Sequence, residues 1–97
     1  MRYTFEWDPN KANENLQKHK VSFERAAEVF RDPLAISIFD EEHSELEERW
    51  VTMGRDSDES VLVLVHTFSQ TTAEECIIRI ISARKAKKKE ARQYEEI

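Results

Sequence analysis

Ninety-seven residues, 39% hydrophobic and 36% charged, suffice for one folded domain over residues 1–97 and are too few for two cores. A single cysteine, Cys76, excludes an internal disulfide. A net charge of −5 excludes a uniformly basic nucleic-acid binder, but the average hides a steep gradient. Residues 1–39 balance six acids with six bases, and residues 40–59 carry −7. Residues 60–78 add −2, and residues 79–97 carry +4. Such asymmetry suits one face for an anion and another for a basic partner. Glu6 and Asp8 interrupt any early apolar region, and the longest apolar run, Val61 to Val65, is far too short to cross a membrane. A cytoplasmic protein without a membrane partner is expected, in keeping with a reducing compartment for Cys76. Because Cys76 opens an apolar run, it reads as a small buried hydrophobe.

In chain order, Arg2 to Trp7 alternates and is rich in aromatics, the pattern of a strand. Asp8 and Pro9 then supply a cap and a first helical position. The helix that follows to Lys20 is polar, with Ala12 and Leu16 spaced to face a core. Ser22 caps a second helix whose Phe23, Ala26, Ala27 and Phe30 form an apolar stripe, and Asp32-Pro33 stops it. From Leu34 the period becomes two, with Leu34, Ile36 and Ile38 on one side and Ala35, Ser37 and Phe39 on the other. Glu48 to Met53 reads as a strand ending at Gly54, and Val61 to Phe68, apolar on both faces, as a central strand. Cys76 to Ala83 is the last strand. Arg84 to about Glu95 is a basic helix that can turn Ala86, Ala91 and Tyr94 inward. The order β-α-α-β-β-β-β-α implies an α+β fold: an antiparallel sheet with helices packed on one face.

The chemistry-bearing residues concentrate near that last strand. Metal-binding spacings such as CxxC or HExxH do not occur, His19, His43 and His66 fall on different elements, and there is no glycine-rich phosphate loop. No metal or cofactor is expected. Arg79, on a strand face with Ile77 and Ile81, suits an anion, or else pairs with Glu47 or Glu48. Arg84 and Lys85 at a helix start oppose the helix dipole and would welcome an anion, or are simply a solvated end. His66 sits on the side of Leu62, Leu64 and Phe68. It is either a satisfied sheet residue or the best proton-transfer group on the sheet. His19 caps the first helix or shares that role. Tyr94 anchors the last helix or stacks on a base. Arginines with a proton-transfer group are what metal-free RNA cleavage needs, since the 2′-hydroxyl is itself the nucleophile.

The combination of Phe5-Glu6-Trp7-Asp8, Lys18-His19, Val21-Ser22-Phe23, Ala26-Ala27, Val29-Phe30 and Asp32-Pro33 resembles the front half of BrnT-type ribonuclease toxins. The resemblance continues through Asp40, His43-Ser44, Glu48-Arg49-Trp50, Gly54, Arg79 to Ala86, Glu90 and Tyr94. It implies a RelE-like toxin of a type II toxin–antitoxin module: a metal-independent endoribonuclease that stops translation. It also implies a BrnA-like ribbon-helix-helix antitoxin as partner, with operator DNA reached only through that antitoxin. The assembly expected is a hetero-oligomer, or a dimer of the chain alone. On this reading Arg79, Arg84, His66 and His19 form the catalytic set, and Arg49, Lys85, Lys88 and Tyr94 contact RNA. The competing reading is a module that binds its antitoxin and tunes repression without cutting RNA.

Overall fold

The computed structural model describes residues 2–96. Strand β1 (Arg2–Glu6) leads into helix α1 (Pro9–His19), then α2 (Phe23–Ala27), which tightens into a 3-10 turn, Glu28–Arg31. Strands β2 (Ile36–Phe39), β3 (Arg49–Arg55), β4 (Val61–Thr67), β5 (Ser69–Gln70) and β6 (Glu75–Lys85) follow, and helix α3 (Lys88–Glu95) ends the chain. The sheet runs β1-β6-β4-β3-β2, with β5 also paired to β6.

The helix starts follow the local chemistry. Asp8 accepts a hydrogen bond from the Asn10 amide at 2.8 Å, with Pro9 opening α1. Ser22 accepts from the Arg25 amide at 3.1 Å. Asp32 ends the second helical segment and receives the Leu34 amide at 2.9 Å. The stripe Phe23, Ala26 and Val29, with Val21, packs on Leu62, Leu64, Cys76, Ile78, Ile80 and Ala83, all buried. Cys76 is inside this core, where burial pushes its thiol pKa up. Gly54 is required by close approach: a Cβ there would lie 2.8 Å from Val29 Cγ1 and 3.0 Å from Ala35 Cβ.

Five features depart from the sequence expectation, the first being β5, a two-residue strand that gives the chain one strand more than the expected β-α-α-β-β-β-β-α order. β1 runs parallel to β6, Arg2 opposite Glu75 through Glu6 opposite Arg79, so the sheet is mostly and not wholly antiparallel. Hairpin-like turns set the direction only of successive strands, and two helices separate β1 from the next one. β6, at 11 residues, outruns β4 and offers β1 its free edge. β6 also continues to Lys85, because Arg84 pairs with Val63 and Lys85 with Leu62. Arg84 and Lys85 therefore belong to the strand and do not open the helix. In α1, Leu16 is exposed and Asn15 is buried instead. Leu34, finally, lies outside β2 and is exposed.

Candidate functional site

Alternation along the strands divides the sheet into a covered and an open face. Leu62, Leu64, His66, Ile78, Ile80 and Ala83 turn toward the helices. Arg79 lies between Ile78 and Ile80 and so points to the open face. Arg84, five residues on, would by simple alternation point the opposite way. A bulge prevents this: His66 pairs with Ile80 while Val65 pairs with Ser82, leaving Ile81 as an extra residue. Arg79 and Arg84 consequently share the open face, about 16 Å apart along the strand at about 3.3 Å per residue.

Around Arg79 the open face forms a groove of about 440 Å³, walled by Glu6, Glu47, Glu48, Thr67, Phe68, Ser69 and Ile77. The Arg79 guanidinium donates to the Glu47 carboxylate. Arg49 Nη2 lies 3.8 Å from the same Glu47 oxygen. Thr67 links the two arginines: it pairs with Arg49 across the sheet, and its Oγ1 accepts the Arg79 amide at 3.2 Å. The buried Arg49 Nε has no hydrogen-bond partner among the described residues. Two guanidinium groups from β3 and β6 thus converge on one anionic oxygen, held by the acidic loop between β2 and β3.

Arg84 is engaged elsewhere. It forks onto Glu90 of α3 with bonds of 2.8 and 2.9 Å. The Arg84 bonds, together with the Lys87 amide, draw the Glu90 carboxyl pKa down to about 2. Lys85 and Lys88 are exposed at the same end of the sheet. Tyr94 is buried, donates its hydroxyl to Asp32, and has the Arg55 guanidinium 5.3 Å from its ring centre. Its geometry is that of the anchor of α3. Burial, then the Asp32 carboxylate, pushes the phenol up to about 12. An unfolded chain would lose that proton near pH 10 while the folded chain keeps it, so stability is full below pH 10 and falls between pH 10 and about 12. Thermal midpoints measured across that window should decline less steeply in Tyr94→Phe than in the parent chain.

His66 lies on the covered face, apart from Arg79, and is 2% exposed. Its Nδ1 faces the Thr67 carbonyl at 2.9 Å, which can only accept, so Nδ1 carries the proton. Nε2 then accepts from Thr52 Oγ1 at 2.6 Å, and Thr52 in turn accepts from Ser37 Oγ at 2.7 Å. Burial lowers the His66 pKa, keeping the imidazole neutral. This chain ends in a second cavity of about 250 Å³ lined by Tyr3, Phe30, Ser37, Trp50, His66 and Phe68. His19 ends α1, half-buried on the helix side and outside both cavities. The expected meeting of Arg79, Arg84 and a histidine in one shallow site does not occur, because the sheet separates His66 from the arginines and Glu90 holds Arg84. Arg49 joins Arg79 instead. The sequence reading gave no role to Ser37 and Thr52; these hydroxyl residues lie opposite each other on β2 and β3, Thr52 buried and Ser37 exposed.

Residues 7–90 match the family described as "Ribonuclease toxin, BrnT, of type II toxin-antitoxin system". The chain belongs to this family. Among solved structures, the 1.1 Å crystal structure of the Brucella abortus ribonuclease toxin BrnT is similar at 17% identity, with a TM-score of 0.61. The alignment covers 91% of this chain and all of that one. At that identity the likeness speaks for a shared BrnT fold. No curated protein matches the chain. Among the described residues of this BrnT-family toxin, no three His, Cys, Asp or Glu side chains are grouped as metal ligands, and no helix is long and apolar enough to cross a membrane.

Proposed function

We propose that this BrnT-family chain is a metal-independent, RelE-like endoribonuclease whose active groove is centred on Arg79 and Arg49. The observation that carries this reading is the shared oxygen of Glu47, which marks a position where two guanidinium groups already hold an anion. A phosphodiester entering there displaces Glu47. The RNA 2′-oxygen then bonds to phosphorus, the bond to the 5′-oxygen breaks, and the two arginines stabilise the extra charge of the phosphorane. Glu47 or Glu48 on the groove wall takes the 2′-proton, since His19, His43 and His66 all lie outside the groove, and the departing 5′-oxygen takes a proton from water and leaves as a 5′-hydroxyl. Arg84, Lys85 and Lys88 extend a basic track for the flanking phosphates. The product is a 2′,3′-cyclic phosphate, and cutting messenger RNA stops translation in the cytoplasm. A BrnA-like ribbon-helix-helix antitoxin neutralises the toxin in a hetero-oligomer and carries it to operator DNA.

The test is incubation of the antitoxin-free chain with a defined RNA in EDTA, followed by end-group analysis. Cyclic or 3′-phosphate ends establish the reaction. Intact RNA with a folded chain, on and off ribosomes, defeats it.

One observation favours the second reading, a non-catalytic antitoxin-binding module: Glu47 and Glu90 already occupy Arg79 and Arg84. The two readings part at Glu47→Gln. If Glu47 merely holds the place of a phosphate, the variant should bind a non-cleavable 2′-deoxy oligonucleotide about tenfold more tightly, equivalent to about 1.4 kcal/mol. Fluorescence anisotropy at fixed salt reads this, and unchanged affinity would favour the binding module.

A further inference from the structure

The cavity on the covered face has a chemistry that the phosphate groove does not use. Its walls are Tyr3, Phe30, Trp50 and Phe68, with Ser37 at one side and His66 at the base. At about 250 Å³ it is smaller than pockets for drug-sized ligands, which start at about 300 Å³, and it suits one flat ring system the size of a nucleobase. Aromatic walls of this kind accept the flat face of a nucleobase.

The polar edge is more selective than the walls. His66 Nδ1–H is committed to the Thr67 carbonyl, so Nε2 is an acceptor and Thr52 must donate to it. Thr52 can then only accept from Ser37, whose one proton is thereby consumed. The exposed Ser37 oxygen is left with lone pairs alone. Inside a buried network the order of donors is set from the histidine outward. Trp50, another wall, holds a buried Nε1–H without a partner among the described residues. Phe68 lines this cavity and the Arg79 groove alike, so one strand of RNA can reach both.

We propose that this cavity is a nucleobase subsite in which the Ser37 hydroxyl, held as an acceptor by Thr52 and His66, selects a base that carries an exocyclic amine. The assignment rests on the ribonuclease reading for its biological ligand, but its test does not require cleavage.

Adenosine and purine riboside, which lacks the amine, are titrated into the isotope-labelled full chain, with amide and indole signals followed by NMR. Adenosine is expected to shift Ser37, Trp50 and Phe68 and to bind about fivefold more tightly than purine riboside, the worth of one net hydrogen bond. Ser37→Ala should equalise the two ligands. Thr52→Val, which frees the Ser37 proton, should shrink the preference, and Thr52→Ser, which keeps the relay, should retain it. Absence of shifts in the cavity, or equal binding of both ligands by the parent chain, overturns the proposal. RNA cleavage without cavity shifts would leave the ribonuclease standing and remove the subsite. Cavity shifts without cleavage would do the reverse.

Discussion

Arg79→Ala should slow RNA cleavage by about a hundredfold to a thousandfold, the usual cost of deleting a preorganised donor to a developing anion. The fold should survive it. The Arg79 side chain is 41% exposed, and an ion pair that open to water contributes little to stability. Arg79→Lys keeps the charge but loses the planar fork, and should recover only part of the rate. Arg84→Ala is the informative contrast. Arg84 is committed to Glu90 and reaches only a flanking phosphate, so its loss should loosen α3, lower the thermal midpoint and raise the RNA concentration needed for half-maximal cleavage, while leaving the saturating single-turnover rate near that of the parent. Single-turnover cleavage and a thermal melt on each variant separate these outcomes. Equal rate losses in the two alanine variants would mean that the phosphate spans both arginines and would sink the Arg79–Arg49 assignment.

That contrast also shows where sequence reading succeeds and where it stops. Local patterns were legible because local physics makes them. The stripe Phe23, Ala26, Ala27 and Phe30 could only be a helix face, and the two-sided apolar run from Val61 could only be a central strand. The pairing of Arg79 with Glu47, one of two carboxylates able to meet it, was legible from strand position and charge. The face of Arg84 was not. It depends on one extra residue, Ile81, that neither hydrophobicity nor propensity marks, and a single-residue slip reverses every side chain beyond it. The parallel pairing of β1 is likewise a long-range choice. His66 belonged to either of two readings until Thr52 and the Thr67 carbonyl fixed both its nitrogens. The basic stretch after Arg79 looked like a helix start because Arg84 through Lys89 are good helix formers. Pairing with β4 overrode that propensity as far as Lys85.

Asn15→Ala should cost at least about 3 kcal/mol, the scale for stranding three buried backbone groups at about 1–3 kcal/mol each. β1 stops opposite Arg79, and beyond that point no strand among the described residues pairs with the outer edge of β6. Asn15 takes the strand's place. Its Nδ2 donates to the Ala83 carbonyl at 2.8 Å and its Oδ1 accepts the Ala83 amide at 3.1 Å. The same Nδ2 reaches the Val21 carbonyl at 2.9 Å, tying α1, the α1–α2 turn and β6 together. Asn15→Asp tests the account more sharply than alanine does. It preserves size and the acceptor but sets a carboxylate against two carbonyls, so it should destabilise at least as much as alanine. Urea unfolding of the three proteins measures both costs. Because Ala83 directly follows the Ile81–Ser82 bulge, releasing it also frees the register that turns Arg84 to the open face. Amide exchange at Ser82 to Lys85 should therefore accelerate in the alanine variant before global unfolding. If Asn15→Ala unfolds within about 0.5 kcal/mol of the parent, the usual range for an ordinary surface change, the side chain is not what holds that edge.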